Sequence, residues 1–533
     1  MKSVQSICIL GGGTAGFVTA SMLARYKELS GSSFDITVVY SASIGNVGVG
    51  ESTLATINEL FSYLGLADKD WMPKCSATYK TSISFEDFYT LDTQFQYPFG
   101  VYRHHDPGHA HAWFELKDHY PEIFTPDTFA KYILPWTRLN EQNKLTKDQC
   151  FPNYSFDDVS AYHFDTHYLG TFLRDYCLDR GVTCIDDKFL EAKLNDDNYI
   201  TEIVCESCTV AADLFVDCSG FSSLLLGGVM KSKFIDFGDT LINHRAVRAK
   251  VAYKDRDKQL TNYTNCHALK NGWCWEIPLY DYMSLGYVHS LRFADESEIV
   301  AEFIEHCARQ GFEVSEDSID VINYKTGRRE QGWVNNVVGI GLSYGFLEPL
   351  ESTGILTLTN NAFRLLEMLS KRNMRFTEID RACFNRSTGE RVDGLRGFIE
   401  LHYAMSLRDD SKYWRHVTEK VKFPSGPGTC YEAALHMTTE SRFYVENNSN
   451  KNGLAFILAA MGYSPYSPAF NIQNKASHRL EILKQSYLHD DGHYKELVSQ
   501  MPSSFQFLQQ NVYADRAEGT SQPDKLLTTS AGS

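Results

Sequence analysis

The stretch ILGGGTAG at residues 9–16 constrains this chain more than any other. An apolar run, Ile7-Cys8-Ile9-Leu10, leads into Gly11-x-Gly13-x-x-Gly16, and a helix-forming stretch follows to Tyr26. Strand, glycine loop and helix in that order form the setting in which GxGxxG binds a dinucleotide. Gly11 permits the tight turn, Gly13 lets backbone approach a pyrophosphate, and Gly16 lets the helix pack close to the strand. Thr14 and Ala15 lie in the same turn, where the helix N-terminus offers unpaired N–H groups to phosphate. The plain alternative is a glycine-rich turn with no ligand. The second strand, residues 33–40 (SFDITVVY), ends in Tyr40 and Ser41, where an Asp or Glu usually holds the ribose.

Length allows roughly two to four domain-sized units. The shift to charged, helical sequence after 375 suggests three parts. These are a dinucleotide-binding domain at 1–375 with inserted substrate-side segments, a helical cap at 376–513, and a disordered tail at 514–533. The 43% hydrophobic content supports a large core, and a net charge of −16 argues against binding a phosphate backbone, so no nucleic-acid partner is expected. The longest apolar run, residues 454–461, is too short to span a bilayer, and no membrane partner is expected. Lys2 and the run after it mimic a signal peptide, but the glycine loop stands where its apolar core belongs. The 13 cysteines are odd in number and set in apolar contexts, as expected of reduced thiols in a cytoplasmic protein. Cys205-x-x-Cys208 is the single close pair and lacks the second pair of a zinc site.

Other stretches can carry chemistry, and each has a bland reading beside it. Residues 47–53 (VGVGEST) form a glycine-rich turn in which Gly48 and Gly50 let backbone lie flat on a ring, and Ser52 or Thr53 can cap a helix at 54–64. Lys80 lies in a strand-like alternation, where a lysine is ordinarily a solvated edge residue. His104, His105, His109 and His111 surround Pro107-Gly108 without helical spacing to a carboxylate, so loop histidines are expected and no metal. Residues 161–182 read as a helix, and residues 212–221 as a buried strand ending in Asp217-Cys218-Ser219-Gly220. Trp273 and Trp275 share one face of a strand that stops at Pro278, as core or as a wall for a planar ligand. The strand at 337–342 ends at Leu342. Further on, Ser352-Thr353-Gly354 starts a helix to about Arg372, either as an anion site or with Ser352 as a simple cap. Residues 398–414 and 454–462 also read as helices.

Together these motifs resemble the flavin-dependent halogenases of the tryptophan-halogenase type. The resemblance rests on GGGTAG (11–16), GVGES (48–52), AYHFD (161–165), DLFVDCSGF (213–221), GWCWEIPL (272–279, a WxWxIP signature), GFLEPLESTGI (345–355), FIELHY (398–403) and RDDSKYW (408–414). It implies an α/β, Rossmann-like, FAD-binding fold of the flavin-monooxygenase kind with a mostly helical C-terminal cap. It also implies FAD used as FADH2 from a separate flavin reductase, with O2 and chloride, bromide or iodide as co-substrates. By the resemblance, FAD lies against Gly11, Gly13, Thr14, Ala15, Gly16, Gly48, Val49, Gly50, Asp217, Gly220 and Leu342. Thr353 and Gly354 correspond to the halide-binding amides, and Trp273, Trp275 and Pro278 to a wall between flavin and substrate. Lys80, Glu351 and Ser352 correspond to the catalytic set, in which Lys80 steers hypohalous acid (HOX) and Glu351 positions it or takes the ring proton. Residues 444–465 carry no Trp where tryptophan-specific members carry an aromatic and acidic clamp. An indole, phenol or pyrrole is therefore the expected small aromatic substrate, with halide preference, regiochemistry and oligomeric state left open. The rival reading is an aromatic monooxygenase of the same fold that hydroxylates its substrate.

Overall fold

The computed structural model describes residues 3–44, 50–100, 108–421, 451–464 and 478–516. The chain divides into two compact units that interleave in sequence. One comprises Met1–Ala77, Tyr162–His244 and Asn323–Leu395; the other comprises Thr78–Ala161, Arg245–Ile322 and Arg396–Ser533. Composition suggests a serial division at 375; in the structure each unit is assembled from three separate segments.

The first unit is built on a six-stranded sheet. In spatial order its strands are Trp333–Val334, Val337–Gly339, Leu214–Asp217, Ser6–Leu10, Asp35–Tyr40 and Thr183–Asp186. All pairs are parallel except the Trp333–Val334 edge, and Leu10 lies in register with both Val39 and Asp217. The apolar side chains of Ser6–Leu10 are buried, as expected of a central parallel strand covered on both faces. Helices Thr14–Ser30, Thr166–Leu178 and Thr353–Lys371 pack together beside it. The loop after the first strand has the expected geometry. Gly11 has φ +122, and a Cβ there would overlap the Cys218 carbonyl. A Cβ on Gly16 would overlap the carbonyl oxygen of Gly11. The Tyr40 ring lies against Gly12, where a Cβ would come within 2.5 Å of it. An aromatic ring thus fills the place of the expected acidic residue.

Two helix readings change. Ala161–Asp165 is a strand, paired antiparallel with Gly50–Ser52, and the helix begins only at Thr166. Asp165 caps it by accepting from the amides of His167 (2.8 Å) and Tyr168 (3.3 Å). This pairing also uses the turn expected to cap the next helix: Ser52 is in the strand, Thr53 Oγ1 donates to the Tyr162 carbonyl at 2.7 Å, and the helix is Ile57–Leu64. The stretch 398–414 is not one helix: Glu378–Ala404 ends, and Lys412–Lys420 follows under a Ser411 cap.

The second unit carries a seven-stranded sheet in the order Asp320–Asn323, Arg245–Val251, Met283–His289, Gly272–Pro278, Tyr263–Leu269, Ser82–Glu86 and Gln94–Pro98. Helix Glu296–Arg309 covers one face, burying Ile299, Phe303 and Cys307 against Val247, Cys274, Leu285 and Tyr287. Trp273 and Trp275 occupy the opposite face, since side chains alternate along a strand. Trp275 is in register with Gly286, and a Cβ on Gly286 would overlap its ring. Gly286→Ala is therefore expected to displace Trp275 and cost about 2–3 kcal/mol, by the overpacking penalty. Urea unfolding measures the loss, and a shift in tryptophan emission reports the moved ring. The Gly108–His119 helix includes His109 and His111, in contrast to the expected loop; His104 and His105 lie outside the described residues. Helix Lys451–Ala460 falls where sequence places one, whereas 517–533, most of the expected tail, lies outside the described residues. Among the described residues no helix is long and apolar enough to cross a membrane.

Candidate active site

In the first unit the glycine loop, the turn after Asp217 and the turn at Gly341–Ser343 are bound together. Gly13 precedes helix Thr14–Ser30 without a side-chain cap, so the first-turn amides are left for another acceptor. Gly11 to Ala15 are partly exposed, unlike the buried residues that follow them. An uncapped, accessible helix start with no side chain in the way suits a pyrophosphate, and these residues fit a dinucleotide.

Asp217 is fully buried, and its carboxylate is engaged by its own loop. Oδ1 accepts from Ser219 N (3.0 Å) and Oγ (2.6 Å), and Oδ2 from Leu225 N (2.8 Å) and Leu226 N (2.7 Å). Burial pushes its carboxyl up from the ordinary range, while these donors pull it down. Ser343 Oγ donates to the Asp217 carbonyl, and Ser223 Oγ donates to the Ser343 carbonyl at 2.7 Å. These bonds hold Gly220, at φ +69 with open space around it, and Leu342 in adjoining turns. Gly341 packs against Ala15, where a Cβ would come within 2.8 Å of the alanine methyl. Gly48 and Val49 lie outside the described residues, and Gly50 opens a short strand.

Helix Thr353–Lys371 begins in the same unit. Its preceding residue, Ser352, adopts the left-handed conformation (φ 56, ψ 36) and does not cap the helix. Its hydroxyl instead meets the Ser52 hydroxyl at 2.9 Å. Thr353 Oγ1 is buried with no hydrogen-bond partner among the described residues. A 19-residue helix whose first turn is uncapped, with an unpartnered buried hydroxyl beside it, suits a small anion. Glu351 and Glu348 are both buried just before it, and Glu348 accepts from Asn243 Nδ2 at 2.8 Å.

Glu51 escapes the sequence reading. Its Oε2 lies 3.8 Å from where a Gly354 Cβ would stand, and burial pushes its carboxyl up to about 7. The only local signal is its place in the glycine-rich turn. The folded chain holds this proton more tightly than the unfolded one, so the contribution is complete below the ordinary value of 4.5 and is lost as pH rises to about 7. Glu51→Gln is expected to flatten that slope. Urea unfolding of the flavin-free protein should find the variant more stable by about 1–2 kcal/mol near pH 8 and little changed near pH 5.

In the second unit, Lys80 ends the strand Thr78–Lys80 and has no exposed surface, which corrects the expectation of a solvated edge lysine. Its Nζ stands 4.9 Å from the centre of the Phe99 ring. The Trp136 indole N–H donates to the Phe99 carbonyl at 2.9 Å and fixes that residue. Withdrawing an ammonium from water is costly, so a lysine is held here against its solvation preference. Thr78 Oγ1 donates to the Pro278 carbonyl at 2.6 Å and ties the lysine strand to the end of the tryptophan strand. Trp273 and Trp275 are buried with ring centres 6.3 Å apart, and neither indole N–H has a partner among the described residues.

The tryptophan halogenase profile matches residues 6–473. Tryptophan 6-halogenase SttH of Streptomyces toxytricini is 34% identical over 78% of this chain and 81% of its own length. The apo structure of VirX1 superposes with a TM-score of 0.87 at 34% identity, covering 96% of this chain and all of that one. BrvH, a flavin-dependent halogenase from Brevundimonas sp. BAL3, gives 0.82 at 30% identity, covering 95% of this chain and 99% of its own. With a matching profile over most of its length, relatives 34% identical and the expected α/β flavin-binding fold, this chain belongs to the tryptophan halogenase family of flavin-dependent halogenases.

Proposed function

We propose that the chain halogenates an electron-rich indole, phenol or pyrrole through Lys80, drawing FADH2 from a separate flavin reductase. The observation that carries this reading is the full burial of Lys80 beside Phe99. FAD would be held by Gly11, Gly13, Thr14, Ala15, Gly16, Gly50, Gly220 and Leu342, with Asp217 shaping the adjoining turn. When bound and reduced, it supplies with O2 the oxidation of halide to HOX.

The amides of Thr353 and Gly354 offset the charge of the halide, aided by the positive end of a long helix. The ammonium of Lys80 donates to the oxygen of HOX and makes the halogen more electrophilic. The carbon–halogen bond forms as the oxygen–halogen bond breaks, and the oxygen leaves as water with a proton from lysine. Glu351 accepts the proton lost from the ring, and Ser352, linked to Ser52, holds the turn that carries it. Trp273, Trp275 and Pro278 form a rigid apolar wall that keeps organic substrate from the oxidant.

The substrate class follows from the absence of Trp in residues 444–465. The test is competition under bromide between free tryptophan and a panel of indoles, phenols and pyrroles, read by product mass. Bromination of a panel member ahead of tryptophan is expected. Tryptophan as the preferred substrate would overturn the substrate assignment.

A further inference from the structure

The second unit contains a buried cluster on the sheet face opposite Trp273 and Trp275. We propose that it is a structural binding site for one divalent transition-metal ion of the zinc type, held by His267 Nε2, His306 Nε2 and a carboxylate oxygen of Glu276.

Sheet register assembles the cluster. His267 on Tyr263–Leu269 is opposite Glu86 on one neighbouring strand, and Asn265, two residues away on the same face, is opposite Glu276 on the other. His306 comes from helix Glu296–Arg309, which packs on this face. His267 Nε2 is 3.1 Å from Glu276 Oε1, His306 Nε2 is 3.9 Å from the same oxygen, and the two ring centres are 4.6 Å apart. The three donor atoms all lie within 4.8 Å of one another. A tetrahedral zinc ion with bonds of about 2.0–2.1 Å separates its ligand atoms by about 3.4 Å, so the donors complete the site by drawing together from separations of up to 4.8 Å.

Three further features point to a cation. Both histidines are 3% exposed, and His306 Nε2 has no hydrogen-bond partner among the described residues although it faces this point. His267 Nδ1 lies 3.0 Å from Glu86 Oε2, the carboxylate–histidine arrangement that fixes the tautomer and leaves Nε2 for a metal. Asn265 Oδ1 is likewise buried without a partner, while its amide nitrogen stands 2.8 Å from His267 Nε2. Turning that amide over supplies a fourth, oxygen ligand. Two imidazoles with carboxylate and amide oxygens suit zinc and its first-row neighbours rather than calcium or magnesium. The ion would fasten helix Glu296–Arg309 to the sheet whose other face carries the tryptophan wall, and the halogenation chemistry does not use it.

The test strips the full-length protein with chelator, dialyses it against zinc, and measures bound metal by mass spectrometry and melting temperature by calorimetry. One equivalent of zinc and a melting temperature several degrees above that of the stripped protein are expected. His306→Ala and, if that variant folds poorly, His306→Gln should bind zinc at least a hundredfold more weakly. Cobalt loading should give the visible absorption of a tetrahedral ion in wild type only. Three results would overturn the proposal. They are no stoichiometric uptake, unchanged affinity in the His306 variants, or loss of the metal on Cys208→Ser, which would assign it to the Asp187, Cys205 and Cys208 group instead.

Discussion

Replacing Lys80 by alanine is expected to abolish halogenated product, by at least about a thousandfold in kcat/KM, while oxidation of FADH2 by O2 continues. A thousandfold corresponds to about 4 kcal/mol of transition-state stabilisation, within the range of a preorganised charged donor in a dry site. The prediction follows from placement: the residue is buried, its ammonium faces an aromatic ring, and its strand is tied to the end of the tryptophan strand. Alanine also removes a packed aliphatic stem, so Lys80→Met is the necessary companion. Methionine keeps the stem and loses the nitrogen. Both variants should consume oxygen at close to the wild-type rate and yield no halogenated ring. A methionine variant that still halogenates would remove the lysine from the chemistry.

Gly16→Ala is expected to abolish FAD binding and to destabilise the protein by more than about 3 kcal/mol. The added methyl would overlap the carbonyl oxygen of Gly11, which is backbone and cannot rotate away. Gly11 is itself held at φ +122 against Cys218, so moving it disturbs the neighbouring central strand as well. The cost therefore combines overpacking with displacement of the loop proposed to offer its amides to the pyrophosphate. Urea unfolding gives the stability loss, and quenching of flavin fluorescence gives the affinity. If the variant bound FAD within threefold of wild type, the loop would not be the phosphate cradle.

How far the fold and site were legible depended on how local each determinant is. The strand, loop and helix around Gly11–Gly16 lie within one stretch, so pattern and conformation agree, as they do for the helix after Ser352 and the strand of Trp273 and Trp275. The burial of Lys80 is not legible locally, because its strand alternates as a solvated edge strand does. The structure buries the lysine beside Phe99, a residue outside that strand whose carbonyl accepts from Trp136. Residues 161–165 read as the start of a helix because they run without a break into the helical spacing of Leu169, Phe172, Leu173, Tyr176 and Cys177, and only pairing with Gly50–Ser52 makes them a strand. The link between Ser52 and Ser352 joins distant segments, and no local pattern encodes it. The histidines near Pro107 are neighbours in sequence, whereas His267 and His306 meet only because a helix folds onto a sheet.

The central claim is that halide, not the aromatic ring, receives the oxidising equivalents. One measurement addresses it directly: product mass from purified protein, FADH2, O2 and a reactive indole, with bromide present and with halide rigorously excluded. Bromine in place of a ring hydrogen when bromide is present, and unmodified indole when halide is absent, is the predicted result. A ring that gains oxygen in the halide-free reaction would contradict the account and make the protein an aromatic hydroxylase.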